Sequence, residues 1–369
     1  MTVIPTHHRR NAPQGESEIS FAEVLEKKAH ELAASLTPLP LDGKGLSLEY
    51  LQNYVSQHGI TNLIILDQKV AGIEERGDLR PYGYEFYLPN ATITVIDHHV
   101  RESSLSEVST GNLVLEYLRQ HPSGPPPGST IAITHGDCDS VVSAGLMLGA
   151  LPPLEAFGDA VLSADHTFEA NHIGDMLQAI ELIPPPGELV RLTGGSCDGS
   201  LSRSIELSFR NLGLLLQGKD LEAPVAEALQ GRLAARAGWR ERIERGEVQT
   251  LGGGTCICVL HEKPKQDPYP EFLKGLLPHA SLVLVFHQVP EADDFMQVRA
   301  IGGCSFPEMA SLGDGTIISG DLVPGFGGRR DAGSNRRGGI SFEGDPHDVA
   351  LVIDARLAAV AAGRDPMPK

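Results

Sequence analysis

NLIILD (62–67), TITVID (92–97) and TIAITH (130–135) decide how this chain folds. Each is a short, β-branched, almost continuously apolar run, the pattern of a strand buried on both faces of a parallel sheet. Between and after them lie stretches with helical spacing: GNLVLEYLRQH (111–121), VVSAGLMLGAL (141–151) and GDMLQAIELI (174–183). Strands alternating with helices predict an α/β layer fold, a mostly parallel sheet with helices on both faces.

Working outward, FAEVLEKKAHELAASL (21–36) has helical spacing, and residues 1–20 are polar without periodicity, expected to be a mobile tail. From Leu201 to Arg245 the chain is helical and charged, and after GGG (252–254) a second β-rich region begins. Its apolar runs are CICVL (256–260), LVLVFHQ (282–288), FMQVRAI (295–301) and GISFEG (339–344), closed by the helix HDVALVIDARLAAVAA (347–362). The expected organisation is therefore a catalytic domain over 21–190, a helical connector over 191–250, and a smaller α/β substrate-binding domain over 251–369. A length of 369 residues suits two or three domains.

Composition removes several classes. No run approaches the roughly 18–20 apolar residues that span a bilayer, and the N-terminal residues lack the apolar core of a secretory signal. Five cysteines without a CxxC ladder are not a disulfide framework, so a cytoplasmic location is expected. A formal net charge of −18 argues against a broad duplex nucleic-acid surface. Aromatic residues at 5% give few platforms for tracking a long single strand.

In open α/β sheets the ligand sits outside the carboxyl ends of the strands. Here the first run ends in Asp67, and the second in Asp97 followed by His98 and His99. The third ends in His135, followed by Gly136, Asp137, Cys138 and Asp139. AVLSAD (160–165), read as a fourth such strand, ends in Asp165. Singly, an Asp after a strand is an ordinary cap or turn residue. Jointly, several carboxylates on one edge repel one another unless cations lie between them. Mixed carboxylate and imidazole donors without thiolate suit Mn²⁺, Mg²⁺, Co²⁺ or Zn²⁺. Two such ions about 3.5–4 Å apart activate water and clamp a phosphoryl group.

TVIDHHV (94–100) resembles the signature of the DHH phosphoesterase superfamily, which includes RecJ-like exonucleases and nanoRNases, and ITHGDCDSVVSA (133–144) resembles its His-x-Asp-x-Asp motif. PGFGGRRDAGS (324–334) resembles the GGxHRxAxG segment of the associated C-terminal domain, with Arg329 where that domain carries His. The motif order looks circularly permuted, since Asp67 and DHH precede HGDCDS. The resemblance implies two divalent ions, Mn²⁺ first with Mg²⁺ or Co²⁺ as alternatives. It implies His135, Asp137 and Asp67 on one ion, and Asp139, Asp67, His98 and Asp165 on the other. It further implies that Asp97 orients His98 and that His99 faces the substrate phosphate. Gly327, Gly328, Arg329, Arg330, Arg336 and Arg337 would then hold the substrate from a cleft between the domains, Arg forks matching phosphate.

The function expected is hydrolysis of phosphodiester or phosphomonoester bonds in short single-stranded oligonucleotides or nucleotides. The alternatives are a pyrophosphatase or polyphosphatase, and a catalytically silent nucleotide-binding regulator. The oligomeric state stays open, a dimer included, and no membrane partner is expected.

Overall fold

In the computed structural model the described residues are 20–39, 46–98, 108–183, 199–261, 272–277, 280–288, 293–300, 317–329 and 332–364. The expected tail, apart from Ser20, lies outside them. The chain divides into two compact units, one of residues 1–165 and 171–229, the other of 166–170 and 230–369.

The first unit has strands β1 (Thr37–Pro38), β2 (Leu46–Ser47), β3 (Asn62–Leu66), β4 (Val70–Ala71), β5 (Asp78–Arg80), β6 (Gly83–Leu88), β7 (Ala91–Ile96) and β8 (Thr130–Ile133). Its helices are α1 (Phe21–Ala34), α2 (Leu48–His58), α3 (Ile73–Arg76), α4 (Thr110–Gln120), α5 (Cys138–Met147), α6 (Glu155–Leu162), α7 (His172–Glu181) and α8 (Gly199–Leu216). Six strands form one sheet in the order β1-β8-β3-β7-β6-β5. The first four are parallel, and β7, β6 and β5 continue as antiparallel neighbours. The three runs that decided the fold are thus its adjacent central strands.

Alternate residues of these strands feed two cores, as the strand period of two requires. Ile64, Leu66, Ile96, Ile131 and Ile133 pack with α1 and α4–α8, whereas Leu63, Ile65, Ile93, Val95 and Ala132 pack with α2 and α3. Helices therefore cover both faces. Ser20 and Glu23 form a capping box at the start of α1. Where α8 meets α1, Gly213 permits backbone contact, because a Cβ there would lie 2.5 Å from the Glu26 nitrogen. The β5–β6 hairpin escaped the sequence reading. It bends at Gly83, whose φ of +149° leaves no room for a side chain against the Val95 carbonyl.

The boundary between units falls inside α9 (Ala223–Glu244), after Leu229. The stretch expected as a connector is thus divided, with α8 contributing Ile205, Phe209 and Leu212 to the core of the first unit.

The second unit contains β9 (Val248–Thr250), β10 (Thr255–Leu260), β11 (Leu282–His287), β12 (Phe295–Ala300), β13 (Gly327–Arg329) and β14 (Ala332–Ser334), with α10 (Phe272–Leu276) and α11 (Pro346–Ala361). Its sheet runs β13-β14-β12-β11-β10-β9, and only β10 and β11 are parallel. Asp354 on α11 anchors the GGG turn by accepting from the backbone N–H groups of Gly253 and Thr255 at 2.8 and 3.0 Å. GISFEG, expected as a strand, is irregular beyond Gly339. Asn335–Gly338 before it form a 3₁₀ turn ending in left-handed Gly339, and no third apolar residue follows Ile340 and Phe342 within the run.

Candidate metal centre

Sheet order sets the site. β3 lies between β8 and β7, so the residues just past its end have His135 on one side and His98 on the other. Asp67 follows β3 directly and is buried in the left-handed region at φ +53°. Its N–H donates to the Ile96 carbonyl at 2.9 Å, which turns the chain end towards β7. A non-glycine residue held at positive φ is strained, and such strain clusters at functional sites.

Two helices start beside this edge. Asp137 caps α5, its Oδ1 accepting from the Ser140 N–H at 2.9 Å. Ser140 directs its hydroxyl to Asp67 Oδ2 at 3.3 Å. Cys138 turns into the core. Asp139 accepts from the first N–H groups of α4, Thr110 at 2.9 Å and Gly111 at 2.8 Å.

Among the described residues the candidate ligands form three groups, two of which share Asp67, while the third, His98, Asp165 and His166, shares His98 with one of them. Asp67, His135 and Asp137 make the first, with His135 Nε2 lying 3.0 Å from an oxygen of each carboxylate. Asp67, His98 and Asp139 make the second, His98 Nδ1 lying 3.2 Å from Asp139 and 3.6 Å from Asp67. Asp165 approaches from the other side of the same ring, 3.5 Å from His98 Nε2. Thr110 ties these groups together by donating its hydroxyl to Asp67 Oδ1 at 3.0 Å, and His98 Nδ1 lies 3.1 Å from that Thr110 hydroxyl oxygen.

Without an ion the electrostatics are unfavourable. Burial, reinforced by the Asp137 charge, pushes the Asp67 carboxyl up. Burial and the Asp67 charge push Asp139 up to about 7 despite its helix N–H partners. Burial also acts on Asp137, yet the His135 hydrogen bond and charge prevail and lower it to about 2. Desolvation opposes charge on both rings, but Asp139, Asp67 and Asp165 raise His98 to about 9, and Asp137 and Asp67 raise His135 to about 11. Protons on the imidazoles therefore stand where cations would resolve the repulsion. The donor set, carboxylate and imidazole with no thiolate, fits hard or borderline divalent ions.

Asp165 reaches the site from a different element than the sequence implied. AVLSAD is helical, being the end of α6 and the π-helical turn Ser163–Thr167. Phe157, Ala160, Val161 and Ala164 are buried at a helical interval, so the apolar run marks a helix face and not a strand. Asp97 is fully buried. His99 and Arg330 lie outside the described residues, as do the side chains of Arg329 and Arg337. In the second unit Gly327, Gly328 and Arg329 form β13 of a short hairpin, and Arg336 lies in the 3₁₀ turn after β14 with its guanidinium 5.0 Å above the Phe295 ring. Sequence reading missed Thr110 and Gln68, single polar residues that belong to no motif, and Thr134, which precedes the His-x-Asp-x-Asp residues of its quoted segment.

Compared by sequence, the chain matches no family model and no curated protein. Among solved structures it is similar to a pGpG-specific phosphodiesterase, PggH, from Vibrio cholerae, at 12% identity over 93% of this chain and 97% of that one, with a TM-score of 0.40. It is also similar to an exonuclease RecJ bound to manganese, at 15% identity over 87% and 80% with a TM-score of 0.26. A third likeness is to RecJ from Thermus thermophilus in complex with Mg²⁺, at 12% identity over 92% and 53% with a TM-score of 0.28. PggH and RecJ are DHH-superfamily proteins. None of these scores reaches 0.5, so what the site can do rests on its own residues.

Proposed function

We propose that the chain is a DHH-type phosphoesterase that hydrolyses phosphoester bonds of short oligonucleotides or nucleotides at a dinuclear metal centre. The observation that carries this reading is the position of Asp67, one buried carboxylate common to two ligand groups. Asp67, His135 and Asp137 would hold one ion, and Asp67, His98, Asp139 and Asp165 the other. Mn²⁺ is the preferred metal, with Mg²⁺ or Co²⁺ able to substitute. When bound, such a pair supplies a nucleophilic water at neutral pH and neutralises charge on the phosphoryl oxygens.

The protein's own part is positional. Thr110 and Ser140 fix the Asp67 carboxylate, and the first turn of α4 fixes Asp139. Asp97 backs His98, and His99 is assigned to the substrate phosphate. Gly327, Gly328, Arg329, Arg330, Arg336 and Arg337 are assigned to substrate, their forks matching phosphate oxygens. The motif order is read as a permutation that leaves the strand ends in place. The deciding experiment measures metal stoichiometry and turnover together on dinucleotides, a 3′,5′-bisphosphate nucleotide, cyclic dinucleotides and pyrophosphate. Two ions per chain with dinucleotide hydrolysis, both lost in Asp67→Ala, are expected. Two ions with no turnover of any substrate would instead identify a silent nucleotide-binding protein.

A further inference from the structure

Beyond β8, Thr134 and His135 stand beside Gln68, which follows Asp67 at the end of the adjacent β3. Five contacts run through these residues, and the donors along them are fixed one after another. The Lys69 carbonyl can only accept, so the Gln68 atom 3.0 Å from it is the amide Nε2. Gln68 Oε1 then lies 2.9 Å from Thr134 Oγ1, and an amide oxygen also only accepts, so the single hydroxyl proton of Thr134 points there. For its other neighbour, His135 Nδ1 at 2.7 Å, the hydroxyl has lone pairs alone. Nδ1 must therefore carry hydrogen. Nε2 faces Asp67 Oδ2 and Asp137 Oδ2 at 3.0 Å each; carboxylates only accept, so without an ion Nε2 donates its own hydrogen to them, and on giving up that hydrogen to bind a divalent ion the ring keeps the one on Nδ1 and turns the Nε2 lone pair to the metal.

We propose that Gln68 and Thr134 are positioning residues that hold His135 as the Nδ1–H tautomer and so present Nε2, with Asp67 and Asp137, to a divalent ion. The inference rests on the two-metal reading above and names what orients one of its ligands. Metal-binding histidines commonly give their second N–H to a carboxylate or a carbonyl. Here the partner is a neutral hydroxyl passed on to a neutral amide. That choice orients the ring without adding a further negative charge to an edge where Asp67, Asp137 and Asp139 already converge. It also binds the end of β8 to the end of β3, so the two first-group residues on different strands keep their spacing.

Mn²⁺ binding isotherms of the full chain test this at one pH with four proteins: wild type, Thr134→Val, Thr134→Ser and Asp67→Ala. Thr134→Val keeps the shape and removes the acceptor, and one of the two sites should weaken about 10–100-fold. Thr134→Ser restores the acceptor and should bind as wild type does, which loss of packing would not predict. In wild-type protein loaded with ¹¹³Cd²⁺, the metal should couple to Nε2 of His135, with Nδ1 protonated. Two full sites in Thr134→Val alongside weakened binding in Asp67→Ala would overturn this inference and leave the two-metal reading standing. Unchanged binding in Asp67→Ala would overturn both. Should Thr134→Val not fold, the cadmium spectrum of the wild type decides alone, and coupling to Nδ1 refutes the proposal.

Discussion

Raising the pH should destabilise the metal-free protein, and metal should remove the effect. In the folded chain the carboxylates around His98 hold it at about 9, against an ordinary 6.5. The folded state then binds a proton that the unfolded state has released, so stability is full below about pH 6.5 and falls as pH rises through 9. Each such proton changes stability by about 1.4 kcal/mol per pH unit, and integrating His98 alone from pH 7 to 9 gives a loss of about 2 kcal/mol. His98 is 3% exposed, so solvent screening does not reduce this figure. His135, raised to about 11, acts in the same direction, with a ring nearer to solvent and a smaller effect for its shift. Asp139, raised to about 7, also favours the protonated fold, but most of its contribution is spent between pH 4 and 7. Asp137, lowered to about 2, gives stability above pH 4 that is lost only as pH falls towards 2. From pH 7 to 9 Asp67, the remainder of Asp139 and the buried thiols of Cys138, Cys256 and Cys258, all raised by burial, act in the same direction as the two imidazoles, so the comparison with His98→Gln gives the share of His98. For a unit of this size 1 kcal/mol is about 2–4 °C in Tm, so circular dichroism melts in chelator should fall by about 4–8 °C from pH 7 to 9. Saturating Mn²⁺ replaces the protons and should flatten the slope, and His98→Gln in chelator should flatten it too. A Tm that is level from pH 7 to 9 in chelator, or a fall unchanged in His98→Gln, would refute the assignment of these rings to the carboxylate cluster.

Turnover with Mn²⁺ should exceed turnover with Mg²⁺ at matched occupancy, because imidazole ligands favour the softer ion; rates measured at saturating metal check it. In chelator, Asp67→Ala should be less stable than Asp67→Asn by about 1–2 kcal/mol, since Asn tolerates φ +53° and Ala does not; urea denaturation gives the order directly. Arg336→Ala should raise KM for a dinucleotide, leave bis(p-nitrophenyl) phosphate hydrolysis unchanged, and cost no more than the roughly 1 kcal/mol of its stacking on Phe295, as steady-state kinetics and a melt will show.

The central sheet was legible because buried parallel strands cannot hide their composition: Leu63 to Leu66 and Ile93 to Ile96 face a core on either side. The rule that ligands gather at strand carboxyl ends pointed to Asp67, His98 and His135 as neighbours, and sheet order brings their side chains together. Asp165 lies 3.5 Å from His98 but on a helical turn and not at a strand end, since a run as short as AVLSAD does not distinguish a strand from the last turns of a helix. The β5–β6 hairpin was illegible for another reason. Its residues sit at a sheet edge with Arg80, Tyr82 and Tyr87 bonded around Glu85, so the strands carry polar side chains where an apolar run would announce them. Thr110 is 43 positions from Asp67, and Thr134 and Gln68 are separated by 66. A hydroxyl or amide that acts through one hydrogen bond leaves no periodicity and no spacing to read.

That Asp67 is the shared residue follows from where β3 lies, and the strain follows from the sharing. A side chain leaving a strand end in extended geometry continues the alternation of that strand and faces one layer of helices. To address His135 past β8 and a threonine of α4 beside His98, the backbone after Leu66 must depart from the strand, and φ +53° is that departure. The unfavourable conformation is held by the bond to Ile96 and by two hydroxyls, Thr110 and Ser140, each reaching a different oxygen of the carboxylate. All three come from elements other than β3, so the conformation exists only in the assembled fold. A purely structural aspartate buried at this position would gain nothing from facing Asp137 and Asp139, whose charges raise its own energy. Strain and like-charge convergence at one residue are both costs to folding, and the proposed dinuclear centre, with Asp67 shared by two cations, would account for them together.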